Sequence, residues 1–186
     1  MSDNAQVKWY VLRDLKRCNS NRPGYIELRE EGFEVFTPLK WQIFVRAGKK
    51  IRKEVPIIAD LLFVHSSKEE LDPIVSRIPT LQYRYKLGRS IKEPTVVRDQ
   101  DMALFIDAVA KSNDIRYYLP EEIRPEMYRR EIVVVGGPFD GYAGRLLSLR
   151  GSKKRRLIVE IPNFITAAVE VQPEYIQVKR LLKNKC

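Results

Sequence analysis

The chain has 186 residues, enough for one ordinary domain or two small ones, and its 44% apolar and 10% aromatic content argues for folded cores rather than a disordered tail. Lys and Arg outnumber Asp and Glu by 34 to 24, a net charge of +10, which favours an anionic partner such as nucleic acid. Two cysteines, Cys18 and Cys186, without a CxxC pair exclude a zinc ribbon and a disulfide framework; no apolar run approaches the roughly 20 residues of a membrane span, and the polar start MSDNAQ predicts no signal peptide.

In chain order, VKWYVLRDL alternates Val7, Trp9 and Val11 against Tyr10 and Leu12, a strand covered on both faces. A helix follows, with Ser20 or Asn21 as cap, Pro23 in its first turn, apolar Ile26 and Leu28, and Gly32 as its stop. FEVFTPLKWQIFV is extended and broken at Pro38. RAGKKIRK is a basic turn around Gly48, and VPIIADLLFVH is strongly β-prone. Ser67 and Glu70 stand at capping-box spacing and start a helix that Pro73 limits or bends. TLQYRYKLG alternates as a strand. Met102, Phe105, Ile106 and Val109 mark one face of an amphipathic helix.

From Asn113 to Met127 the pattern stops, and two prolines with mixed charge read as a linker. Beyond it come five short strands, in REIVVV, AGRLLSLRG, RRLIVEIP, AAVEVQ and EYIQVK, at a spacing that suggests a small barrel. The expected division is therefore residues 1–112, a linker at 113–127, and residues 128–186. The expected class is α+β: an α/β sandwich of an antiparallel sheet with flanking helices, then the barrel.

The stretch VVVGGPFDGYAGRLLSL invites comparison with phosphate-binding loops. A Walker loop needs a Lys and a hydroxyl residue after its last glycine and a helix behind it; here Gly144 is followed by Arg145, Leu146 and a strand. The better reading is a hairpin: Pro138 presets one backbone angle, Asp140-Gly141 makes a tight turn, and Gly144 permits a bulge or a close backbone approach.

Chemistry has little to work with. His65 is the sole histidine, and beside Ser66 and Ser67 it reads as a surface or capping residue rather than part of a triad. No catalysis, metal or cofactor is expected. Three basic runs stand out instead. Lys40, Arg46, Lys49, Lys50, Arg52 and Lys53 lie in residues 40–53 without an acid. Arg77, Arg84, Lys86, Arg89 and Lys92 lie in 77–92 without an acid, interleaved with Tyr83 and Tyr85. Arg145, Arg150, Lys153, Lys154, Arg155 and Arg156 fall in the barrel's second hairpin. The second run is the strongest nucleic-acid candidate, at Arg77, Arg84, Tyr85, Lys86 and Arg89, because alternating cations and aromatics contact phosphates and stack on unpaired bases. Solvated loops that guard strand edges are the competing reading for the other two.

IVVVGGPFDGYAGRLLSL, with Gly137, Pro138, Phe139, Gly141 and Gly144, resembles the KOW motif. With KWYVL, FTP, a basic turn, VPIIADLLFV and an amphipathic helix before it, nearly the whole chain resembles the NusG family of transcription elongation factors, nearest its specialised RfaH-like and UpxY-like antiterminators. The family's usual aromatic-Pro-Gly-Tyr core is replaced here by Ile58, Ala59, Asp60 and Leu61. The resemblance implies an N-terminal NGN domain joined to an SH3-like KOW barrel, in a monomeric bacterial cytoplasmic protein that suppresses pausing or termination. It implies that Arg13, Ile57, Ile58 and Leu61 meet the clamp helices of RNA polymerase, and that the second basic run faces upstream or non-template DNA. It implies that the barrel binds Rho or a small-subunit ribosomal protein, with Phe139 and Phe164 as contacts or as barrel core. The alternative is a KOW-type RNA-binding protein associated with the ribosome.

Overall fold

The computed structural model describes residues 6–16, 20–86, 93–148 and 151–179. The chain is α+β, with every strand pair antiparallel, and it divides into two compact units between Asp99 and Gln100.

In the first unit, β1 (Lys8–Asp14) is the centre of a sheet ordered β2-β5-β1-β6, with β2 at Glu34–Phe36, β5 at Leu62–Ser66 and β6 at Leu81–Tyr83; β7 (Val96–Val97) also pairs with β1. The register sets Tyr10 against Val64 and Leu12 against Leu62. These four share a cluster with Tyr25 and Leu28 of α1 (Gly24–Glu30) and Leu71 of α2 (Lys68–Arg77). Trp9, Val11, Phe63 and Val97 are buried as well, so β1 is covered on both faces as its sequence predicts. Each such Leu, Val or Phe contributes roughly 1.5–3 kcal/mol by leaving water.

Ser20 and Asn21 do not cap α1: Pro23 is its N-cap, outside the first turn, and no side chain caps it; the signal ahead of α2 acts as expected. The Ser67 hydroxyl accepts the backbone N–H of Glu70 and caps α2. Pro73 lies inside α2 and does not end it; it removes one interior N–H donor, which the helix tolerates. The alternation in TLQYRYKLG yields only β6 and a bridge from Tyr85 to Pro94. At Arg84 the chain changes partner: its N–H donates to Val11 while its carbonyl accepts from Thr95. VPIIADLLFVH is not one strand, because a turn interrupts it at residues 57–61.

Strands β3 (Leu39–Arg46) and β4 (Lys49–Pro56) form a separate two-stranded ribbon. Arg46 pairs with Lys49, leaving the two-residue turn Ala47-Gly48 with φ of 49° and 75°. Such primed turns match the twist of the strands they join. Leu39 packs on the core and Val55 is buried, so the ribbon is anchored at its root.

α3 (Asp99–Lys111), which belongs to the second unit from Gln100 onward, buries Met102, Phe105 and Ala108. A six-stranded sheet follows, ordered β13-β9-β10-β11-β12-β8. Strands β9 (Tyr128–Val134), β10 (Ala143–Leu147), β11 (Arg156–Ile161), β12 (Ile165–Glu170) and β13 (Ile176–Val178) fall on the five segments expected from the sequence. The sixth does not. β8 (Ile115–Tyr118) lies inside the segment read as a linker and pairs with β12, Tyr117 opposite Ala167 and Arg116 opposite Ala168. The small alanines leave room for its bulky side chains. Two prolines and a scatter of charge hid a strand of only four residues.

Candidate functional site

In the first unit the turn at 57–61 gathers the residues of interest. The Ile57 N–H donates to Pro38 (2.9 Å), the Leu61 N–H donates to Ile58 (3.2 Å), and the Thr37 hydroxyl donates to the Leu61 carbonyl (2.9 Å). Ile58-Ala59-Asp60-Leu61 thus turns the chain without a Pro-Gly pair. Ile57 and Ile58 stay half-exposed, whereas Leu61 is 3% exposed. Leu61 therefore belongs to the core and offers no side chain to a partner: once the turn closes, its side chain sits inside with Leu62 and Phe63.

Asp60 is the residue that sequence reasoning passed over. One carboxylate oxygen accepts from Arg13 Nε and Nη2 and lies against Arg84 Nη2, all at 3.1 Å. Two guanidiniums, one on β1 and one just past β6, are thereby held at the turn that carries Ile57 and Ile58, and the cluster keeps a net charge of +1. The signal was present: Asp60 is the only carboxylate in VPIIADLLFVH, and a lone charge in an apolar run requires a partner.

The second basic run is acid-free in sequence but not in space. Arg77 pairs with Glu31, Arg84 with Asp60, and Lys86 Nζ sits 2.6 Å from Glu93. Tyr85 is exposed, its ring 6.3 Å from that of Tyr83. Burial, with a hydrogen bond donated to Asp72, pushes the Tyr83 phenol well above its ordinary range. Arg89 and Lys92 lie outside the described residues. Partly exposed pairs of this kind are worth about 0–1 kcal/mol, so a phosphate can replace the carboxylate.

The first run differs. Among the described residues Lys40, Arg46, Lys49 and Lys50 have no carboxylate partner, Lys53 Nζ donates to the Ser20 carbonyl, and the Arg52 guanidinium lies 4.4 Å from the centre of the Trp41 ring.

The third run is largely committed to its own unit. Arg145 lies over the Tyr128 ring and 3.7 Å from Glu131. Lys154 is 2.7 Å from both Asp114 and Glu170, and Arg156 is 1% exposed with Nη2 2.8 Å from Asp114. Hydrogen bonds from Lys154 and Arg156 hold the Asp114 carboxyl well below the usual range. Arg150 lies outside the described residues.

The glycine-rich stretch is the hairpin loop that its composition predicts, joining β9 to β10 with Ala143 opposite Val133. The Gly141 N–H donates to Val134, the Val134 N–H to Tyr142, and the Gly136 N–H to the Asp140 carboxylate. Gly137 has φ +70°, and a Cβ there would stand 2.7 Å from the Tyr175 ring; at Gly144 a Cβ would stand 3.1 Å from the Ile158 carbonyl. Pro138 lies in the turn that follows. A register shift between Arg145 and Leu147 supplies the bulge. Phe139 is 5% exposed and meets the Tyr142 ring edge-on at 5.6 Å, so it is core; Phe164, at the β11–β12 turn, is half-buried. The Tyr142 hydroxyl donates to Asp107 of α3, and burial, aided by that bond, raises its pKa.

His65 stacks on Trp9 with ring centres 4.8 Å apart, and its Nδ1 lies 2.7 Å from the Glu34 carboxylate. The Ser66 hydroxyl donates to Glu70, and Ser67 is the helix cap. Neither serine faces the histidine as a nucleophile. Among the described residues no three His, Cys, Asp or Glu side chains converge as a metal site, and no helix is long and apolar enough to cross a membrane. Compared with known protein families and with curated proteins, the chain matches none.

Proposed function

We propose that the chain is a regulator of transcription elongation of the NusG type, an NGN-like unit followed by a KOW-like barrel, acting by binding and not by catalysis. The observation that carries this reading is the turn at 57–61, where Arg13 and Arg84 converge on Asp60 beside two half-exposed isoleucines. A small apolar patch rimmed by guanidiniums suits a helical partner with acidic flanks. The partner proposed is the clamp helices of RNA polymerase, met through Arg13, Ile57 and Ile58. Binding that favours the closed, elongating state suppresses pausing or termination by shifting a population. Arg84, Tyr85 and Lys86 lie close enough in sequence and pairing to extend the surface toward upstream or non-template DNA.

The second unit would hold a further protein, Rho or a small-subunit ribosomal protein. Phe164 remains the candidate contact there, since Phe139 is buried. The ribosomal RNA reading needs the barrel to be the main basic surface, and its Lys154 and Arg156 are engaged by Asp114. The test is transcription by purified bacterial RNA polymerase on a pausing template. The protein should shorten pauses, and Ile58→Asp should abolish both that effect and polymerase binding while leaving the melting temperature within a few degrees. Retained polymerase binding by Ile58→Asp removes the assignment of the patch; unchanged pausing with the parent protein removes the function.

A further inference from the structure

The ribbon β3–β4 presents an arrangement that the first unit does not need for its own stability. Side chains alternate across a strand, so Trp41, Ile43 and Val45 share one face, 57%, 64% and 70% exposed. Cross-strand pairing puts Glu54 opposite Trp41, Arg52 opposite Ile43 and Lys50 opposite Val45 on that same face. The opposite face carries Lys40, Arg46, Lys49 and Lys53 with Phe44 and Ile51. An exposed apolar stripe on a bare ribbon is an aggregation hazard, and its retention here asks for a ligand.

From the geometry we infer that this ribbon binds single-stranded nucleic acid, with unpaired bases stacking on Trp41 and lying along Ile43 and Val45, and phosphates meeting Lys50 and Arg52. Two observations choose this occupant. The first is charge: the ribbon's two strands and turn hold six cations against one carboxylate, Glu54, and among the described residues none of the six has a carboxylate partner, unlike the cations of the second run. The second is the interleaving of that charge with a flat aromatic ring, which Arg52 overlies at 4.4 Å. Base stacking on aromatics is sequence-tolerant and available only where base faces are unpaired, whereas a duplex hides those faces and offers phosphates alone. Eight-residue strands extend about 27 Å, room for several nucleotides. DNA and RNA strands share this chemistry.

The protein's two tryptophans allow a direct test, because Trp9 is 5% exposed and Trp41 is open to solvent. The full-length protein is titrated with oligo-dT, with oligo-U of equal length and with a duplex. Both single strands should quench the Trp41 emission and bind at least tenfold more tightly than the duplex; a preference between them identifies the natural strand. Trp41→Ala should weaken binding about tenfold or more, measured by anisotropy of a labelled oligonucleotide. The double change Lys50→Gln, Arg52→Gln should flatten the slope of log affinity against log salt by about 1.4, and Lys49→Gln, on the other face, should change it little. Unchanged melting temperatures show that these exposed sites leave the fold intact. Duplex binding as tight as single-strand binding without quenching overturns the inference. So does loss of binding on Arg84→Gln and Lys86→Gln with none on the ribbon changes, or quenching by anionic phospholipid vesicles but not by oligonucleotides. No polymerase enters the assay, so its failure is separate from failure of the proposed function.

Discussion

Arg156 offers the sharpest test of how the second unit is held together. Its guanidinium is 1% exposed, with Nη2 on the Asp114 carboxylate at 2.8 Å, Nη1 on the carbonyls of Asp114 (3.1 Å) and Ala168 (3.3 Å), and a buried Nε without an acceptor. Asp114 precedes β8, so this pair fastens the added strand to the sheet. Removing one partner of a buried pair costs about 3–5 kcal/mol by stranding the other charge. Here two carbonyls remain on Nη1 and the Asp114 side chain is 39% exposed, which lowers the expected cost of Asp114→Ala to about 2–3 kcal/mol. Arg156→Met removes the buried charge itself and leaves Asp114 with Lys154, so it should cost only about 0–1 kcal/mol. The double variant should recover about 1–2 kcal/mol of the Asp114→Ala loss. Urea unfolding followed by far-ultraviolet circular dichroism is the assay, because both tryptophans lie in the first unit and do not report on the second. The Asp114 carboxyl is depressed in the fold, so its contribution is complete above the unfolded carboxylate pKa of about 4 and fades as pH falls below it. The gap between parent and Asp114→Ala should therefore be flat from neutrality to about pH 4 and shrink in stronger acid. An Arg156→Met variant less stable than Asp114→Ala, or additive losses, would refute the reasoning.

Gly137→Ala should destabilise the second unit by about 1–3 kcal/mol, since it combines φ +70° with a Cβ 2.7 Å from the Tyr175 ring, while Gly141→Ala, with φ +81° and open space, should cost about 1 kcal/mol. Equal melting temperatures for the two variants would exclude the Tyr175 contact as a constraint. In alkaline solution Tyr83, Tyr117 and Tyr142 should ionise last among the nine tyrosines, Tyr117 because burial alone pushes it up to about 12. Raised phenol values mean that their contribution is complete below about pH 10 and is lost as pH rises through the folded values. Ultraviolet difference titration should show the delayed ionisation, and Tyr117→Phe should remove one late group; ionisation of all nine together near the ordinary value would contradict it.

What the amino-acid sequence determined by itself was local. Alternation placed β1 and the five strands from Tyr128 onward, Ser67 capped α2, and the glycines and Pro138 closed the hairpin between β9 and β10, because each of these depends on backbone angles and neighbours a few residues away. The tertiary structure decided what depends on partners distant in the chain. It took Leu61 into the core, found Asp60 for Arg13 and Arg84, and gave the second basic run carboxylates from Glu31 and Asp60. It also recruited β8 from a segment whose prolines concealed it, through a register with Ala167 and Ala168. Charge runs read alike along the sequence; only their pairing in space separated the engaged cations of residues 77–86 from the unpaired ones on the β3–β4 ribbon. Coulomb attraction over a few ångströms is blind to separation along the chain, so a one-dimensional count of acids cannot say which cations are free.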